Sequence, residues 1–221
     1  MKFRVQTAWP LARSSNDHLY PRGTKNDNST NPEFNRLLIE VLWDNLCAIP
    51  KVLDLGCAGG GFVESIHAMH LGIIAVGIDG SDYSKREKRA AWKRWADERL
   101  FTANIGMPFF VLQDGRLAEF NVITLWEVLE HLSLTELEVL HANAFAHLRK
   151  DGLLIVSINK GPDVWEGREY HVTQRSSEWW FSFFEDHGWR MREDLWERFH
   201  PHWVRGPNTE GVMSTCFVFQ K

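Results

Sequence analysis

Carboxylates and imidazoles that could do chemistry stand close together at two places in this chain. Glu127, Glu130 and His131 form a Glu-x-x-Glu-His run, and His171 follows in Glu169-Tyr170-His171-Val172-Thr173. Residues three and four apart share a helix face, so a helical turn would project Glu127, Glu130 and His131 to one side. Two carboxylates and two imidazoles suit a divalent ion as ligands. Such an ion lowers the pKa of a hydroxyl beside it. Without an ion, His131 or His171 is the candidate general base, with Glu127 the third catalytic candidate. The plain alternative is that these carboxylates only cap a helix or orient loops.

A second concentration of signal is Gly56-Cys57-Ala58-Gly59-Gly60-Gly61. Glycines there permit a tight turn and let main-chain N–H groups approach a ligand without a Cβ in the way. About twenty residues later comes Gly77-Ile78-Asp79-Gly80-Ser81. An acid at that spacing, on the neighbouring strand end, is placed to accept both hydroxyls of a ribose. A dinucleotide fingerprint of the Gly-x-Gly-x-x-Gly type would need glycine where this chain has Ala58. An NAD-dependent oxidoreductase therefore fits less well, as does a non-catalytic binding module without an acceptor pocket.

These residues need a scaffold, and hydrophobic patterning supplies one. Strands are predicted at Lys51–Leu55, Ile73–Ile78, Leu100–Ala103, Phe120–Leu125 and Gly152–Ile158. Helices are predicted at Gly61 to about His70, Ser84 to about Asp97, Leu134–Leu148 and about Ser176–His187. Another helix starts at Asn31-Pro32-Glu33, with Phe34, Leu37, Leu38, Val41 and Leu42 on one stripe. Alternating β and α units predict an α/β fold, a doubly wound parallel sheet with helices on both faces. Two strand-like segments near Arg190–Phe199 and Met213–Phe219 lack a helix between them, which predicts an antiparallel C-terminal hairpin at one edge. Residues 1–31 are dense in turn formers and read as an irregular N-terminal arm, a lid or a mobile tail, before a single domain over 32–221.

Val52-Leu53-Asp54-Leu55-Gly56-Cys57-Ala58-Gly59-Gly60-Gly61-Phe62 resembles motif I of the class I S-adenosylmethionine-dependent methyltransferases. The likeness continues at Asp79 and again over Phe120–Leu132. It implies a Rossmann-like sheet of seven strands with the last inserted antiparallel, and S-adenosylmethionine as cofactor. It further implies that main chain around Gly56, Cys57, Ala58, Gly59 and Gly61 cradles the methionine part, and that Asp54 bonds its amino group. Asp79, with Gly80 and Ser81, would hold the ribose. Asn104 would meet the adenine amino group beside Ile105, and Leu125 and Trp126 would flank the methionine. The set Glu127, Glu130, His131 and His171 also resembles that of metal-dependent small-RNA 2′-O-methyltransferases and ubiquinone-pathway O-methyltransferases, where it binds a divalent metal ion.

Composition bounds the partners. The formal charge is −4, with 44% hydrophobic and 24% charged residues. That is globular composition and argues against a general phosphate-backbone binder. Lys85, Arg86, Lys88, Arg89, Lys93 and Arg94 read as a solvated helix face or a patch for nucleic acid. Cys47, Cys57 and Cys216 show no metal spacing, which suits a reduced, cytoplasmic setting. No apolar stretch is long enough to span a bilayer, so no membrane partner is expected. Of 11 tryptophans, Trp165, Trp179, Trp180 and Trp203 are placed to border an acceptor pocket. His200 and His202 could form a further wall. The expected acceptor is a hydroxyl on a small molecule or sugar-like group; an RNA ribose or base is the alternative.

Overall fold

Strand residues of alternating face build two apolar layers in the computed structural model, which describes residues 1–44, 49–69, 72–206 and 213–221. Cys47 and His70 lie outside the described residues. The chain begins with β1 (Phe3–Thr7), α1 (Asn16–Leu19), α2 (Arg22–Asn26) and α3 (Pro32–Asp44). Next come β2 (Lys51–Leu55), α4 (Gly61–Ala68), β3 (Ile74–Asp79), α5 (Tyr83–Arg86), α6 (Trp92–Trp95) and β4 (Leu100–Thr102). Then follow β5 (Phe109–Gln113), β6 (Arg116–Leu117), β7 (Phe120–Trp126), a 3₁₀ turn (Leu129–His131), α7 (Leu134–His147) and β8 (Leu148–Asn159). The chain closes with β9 (Val164–Trp165), β10 (Arg168–Glu169), α8 (Ser177–Asp186), β11 (Arg190–Met191), α9 (Glu193–Phe199) and β12 (Ser214–Gln220).

The central sheet has seven strands in the order β11-β12-β8-β7-β2-β3-β4. The pairs among β4, β3, β2, β7 and β8 are parallel, and β12 is antiparallel to both β8 and β11. Winding runs outward from β2 through β3 in one direction and from β7 through β8 in the other. The crevice for a ligand therefore opens between the carboxyl ends of β2 and β7, where loops diverge to opposite faces. On one face Leu53, Leu55, Ile123, Leu125, Leu154 and Val156 pack with α7 and α8. On the other Val52, Val122, Trp126, Ile155 and Val218 pack with α3, α4 and α9. The period-2 side-chain alternation of strands is what divides these residues between the layers.

Several expectations are corrected. The N-terminal arm is not irregular: β1 pairs antiparallel with β5, and with β6 they make a second, three-stranded sheet. Phe3 anchors it in the core against Phe120. The charged helix over 84–97 is two short helices, because Lys88 and Ala90 take left-handed φ values of 48° and 46°. Its cations do not share a face. Lys85 pairs with Asp97, Arg86 with Asp82, and Arg89 bonds the carbonyls of Thr24 and Asp27. The segment 190–199 is strand only at its first two residues; α9 follows and buries Leu195 and Phe199. Leu134, which opens the helix predicted over Leu134–Leu148, is exposed in the first turn of α7.

Candidate functional site

β2 ends at Leu55, and Gly56 turns the chain at φ +81°. Its N–H and that of Cys57 donate to the Ile78 carbonyl, which ties the loop to β3. Ala58 is left-handed at φ +44°, a conformation that usually favours Gly or Asn. The strained residue is held on both sides. Its N–H donates to Asp79 Oδ2 at 2.7 Å, and its carbonyl accepts from Trp92 Nε1 at 2.7 Å. The Ser81 N–H donates to Asp79 Oδ1 at 2.8 Å. A carboxylate accepts about four bonds in all, so two main-chain donors orient Asp79 without exhausting it.

Above this floor lies a cavity of about 320 Å³. Of the candidate cofactor-binding residues, Gly56, Ala58, Asp79, Gly80, Asn104, Ile105 and Trp126 border it. Asp54, Cys57, Gly59, Gly61, Ser81 and Leu125 do not. Asp54 is buried under the loop, where its Oδ1 accepts from Thr124 Oγ1 at 2.7 Å and burial raises its pKa to about 7. Cys57 faces β3 at Gly77, and Leu125 faces the α7–α8 layer. Asn104 uses its Oδ1 to accept from the Gly106 N–H, so it also shapes its own turn.

The glycines answer to the protein before any ligand. A Cβ on Gly59 would stand 2.4 Å from Asn28 Oδ1, and one on Gly61 2.4 Å from the Asn28 carbonyl oxygen. A Cβ on Gly56 would meet Val128 Cγ2 at 2.4 Å. The N-terminal segment lies against this loop and roofs the cavity through Ala12, Asn16, Gly23, Thr24 and Asp27. It is fastened there by Ala12 N–H to the Gly80 carbonyl, Asn16 Nδ2 to the Glu169 carbonyl and an Arg22–Asp163 ion pair.

A smaller cavity of about 140 Å³ adjoins the first, and Gly23, Glu127, His131, Tyr170 and Arg205 border both. Glu130 is wholly buried at its wall. Its Oε1 accepts the Asn159 N–H at 3.0 Å, and its Oε2 has no partner among the described residues. Burial raises its pKa to about 8. His131 Nδ1 lies 3.0 Å from the Tyr170 carbonyl and His171 Nδ1 2.6 Å from the Gly161 carbonyl. A carbonyl only accepts, so each Nδ1 carries a proton. Thr173 staples the two loops together, N–H to the Glu130 carbonyl and Oγ1 to the Leu132 carbonyl. Ligand atoms of Glu130, His131 and His171 all lie within 4.8 Å of one another. Opposite ligands on an ion with ~2.1 Å bonds span about 4.2 Å, so small closure would suffice.

Glu127 is the correction here. The turn is 3₁₀ and begins only at Leu129, while Glu127 itself is left-handed at φ +54°. It therefore does not share the face of Glu130 and His131. Its carboxylate accepts from Ser214 Oγ and pairs with Arg205 at 2.7 Å. Arg205 also pairs with Asp27 at 2.8 Å, which locks the roof to the loop after β7. Burial works against the guanidinium charge, but the two carboxylates more than restore it. Sequence reading missed Arg205, since nothing about its position marks it. Trp180 and Trp203 are core residues, and Trp179 stacks on Phe183 away from both cavities. His200 stacks on Trp196.

Residues 27–200 match the profile of a family described as "Methyltransferase domain". No curated protein matches. Among solved structures, a TehB-like SAM-dependent methyltransferase from Corynebacterium glutamicum is 17% identical, with a TM-score of 0.55 over 92% of this chain and 94% of that one. An S-adenosylmethionine-dependent methyltransferase from Clostridium acetobutylicum is 12% identical, with a TM-score of 0.56 over 92% and 96%. The methyltransferase domain of bacterial CtHen1-CN is 21% identical, with a TM-score of 0.50 over 86% and 100%. At such identities the likeness speaks to the fold.

Proposed function

The chain belongs to the methyltransferase-domain family and is an S-adenosylmethionine-dependent enzyme; on that premise we propose that it methylates a hydroxyl of a small-molecule or sugar-like acceptor with the help of a divalent ion. The observation that carries the acceptor reading is the pair of histidines. Both donate Nδ1–H to a main-chain carbonyl, and one ligand atom of each lies within 4.8 Å of one on the buried, half-partnered Glu130. That outer contact is what orients imidazoles that ligate a metal.

Asp79 would hold the ribose hydroxyls, with Gly56 and Ala58 supplying close main chain and Asn104 and Ile105 the adenine edge. When bound, S-adenosylmethionine supplies an electrophilic methyl on a sulfonium. Trp126 and the roof residues Ala12 and Thr24 would exclude water and fix the line of displacement. Glu130, His131 and His171 would hold the ion, whose charge would lower the pKa of the acceptor hydroxyl. Glu127 keeps Arg205 and the roof in place and does not act on the acceptor. The two cavities share His131 as a wall, which would set acceptor and donor side by side.

Mn²⁺ titrated calorimetrically into chelator-treated protein should bind at one site, and His171→Ala or Glu130→Gln should abolish that binding. Release of S-adenosylhomocysteine from S-adenosylmethionine with a panel of hydroxyl compounds should require the ion. Full turnover in EDTA would remove the metal. Turnover confined to amine acceptors would remove the hydroxyl.

A further inference from the structure

A third depression, about 460 Å³, opens outside the roof, and Arg22 borders both it and the cavity of Glu130, His131 and His171. Its walls are Tyr20, Arg22, Lys25, Tyr83 and Trp165. Its size suits one small organic molecule. The aromatic groups are exposed where a core residue would be covered: Trp165 at 46% and Tyr20 at 37%. The cations are held flat by rings. The Arg22 guanidinium carbon lies 4.6 Å over Trp165, and that of Arg168 lies 4.1 Å over Tyr20.

A guanidinium fixed in this way offers its edge N–H groups in a set direction, the fork geometry that matches a phosphate. Arg22 spends Nη1 on Asp163. Lys25 is exposed and makes no ion pair among the described residues. Lys25 and the ring-held Arg22 and Arg168 bring three cations to this cleft and its rim. Partly exposed aromatic side chains beside Lys25 and the part-engaged Arg22 favour a ligand with both a planar ring and an anionic group.

We infer that this outer cleft anchors the acceptor, and that the acceptor is a small ring-bearing phosphate monoester of the nucleotide kind. The inference rests on the hydroxyl-methylation reading above. The ring lies against Trp165, the phosphate meets Lys25 and the edge of Arg22, and the remainder of the molecule passes Arg22 toward His131 and His171.

The test uses the full chain with S-adenosylhomocysteine saturating the donor cavity, so that a nucleotide cannot report from there. Guanosine 5′-monophosphate, guanosine and inorganic phosphate are titrated by calorimetry and by tryptophan fluorescence. The monophosphate should bind at least about tenfold more tightly than either fragment, as a charge-assisted contact added to ring stacking requires. Trp165→Leu should remove the fluorescence change, and Lys25→Gln should weaken the monophosphate about threefold to tenfold. Neither change should alter S-adenosylhomocysteine binding. Equal binding of nucleoside and nucleotide, phosphate alone binding as well as the nucleotide, or wild-type affinity in both variants would overturn the inference. If S-adenosylhomocysteine itself fails to bind, the donor reading falls instead.

Discussion

Asp54 and Asp79 are both buried acids under one loop, and their surroundings give them different tasks. Asp79 takes two main-chain N–H donors, which suit the ionised form. Asp54 has one hydroxyl donor, and burial beside the charges of Asp27 and Asp79 holds its pKa at about 7. The folded protein therefore binds a proton at Asp54 over a range, roughly pH 4 to 7, where the unfolded chain does not. Stability falls as pH rises through that window, because the unfolded chain gains by ionising its aspartate while the folded state still holds the proton. Asp54→Asn keeps an acceptor for Thr124 and removes the titration. The melting temperature of the ligand-free protein should then depend less steeply on pH between 4 and 7; an unchanged slope would show that Asp54 does not titrate there. Ala58 adds a separate lesson at this scale. Alanine argued against a dinucleotide loop by its identity, yet its backbone is as left-handed as a glycine's.

At the scale of elements, the N-terminal segment and the glycine loop are one assembly. The Gly59 N–H donates to the Asp27 carbonyl, and Arg89 reaches across to the Thr24 and Asp27 carbonyls. Gly59→Ala would push its Cβ to 2.4 Å from Asn28 Oδ1 and 2.8 Å from the Asp27 carbonyl oxygen. Overpacking of this kind costs typically ~1–3 kcal/mol. The rigid loop, tied to β3 and α6, should win, and residues 27–28 should lift away with their hold on Arg205. Trypsin should then cut faster at Arg22 and Lys25 than in the unsubstituted protein. Equal cleavage rates would mean that the segment does not depend on this contact.

For the whole molecule, the cavity is closed by parts far apart in sequence: residues 12–27 above, the β2 and β3 ends below, the loop after β7 at the side and Arg205 across it. A ligand held by all of them stabilises the fold by mass action. S-adenosylhomocysteine at about 100 times its dissociation constant should add ~2.7 kcal/mol, seen as a raised melting temperature, and NAD should add nothing. Asp79→Ala should weaken that ligand by about 1.5–3 kcal/mol, the usual worth of a hydrogen bond to a charged group. A shift with NAD alone, or none lost in Asp79→Ala, would contradict the nucleoside placement.

The sequence by itself determined the alternating α/β order, six strands of the central sheet, the junction at Gly56 and the spacing to Asp79. All of these are local: hydrophobic period, turn residues and short separations carry them. It also offered Glu127, Glu130, His131 and His171 as a set. What it misjudged were segments whose state depends on distant partners. The strand at Phe3–Thr7 exists because β5 lies beside it, some hundred residues later in the chain. Residues 193–199 became helix because Leu195 and Phe199 find a core on the α3 side of the sheet. Only the tertiary structure decided that Glu127 turns from Glu130 and His131 to Arg205, that Gly59 and Gly61 make room for Asn28, and that the N-terminal segment is a roof. Each is a contact between residues at least some thirty positions apart, and pairing at that range depends on which surfaces meet when the layers pack.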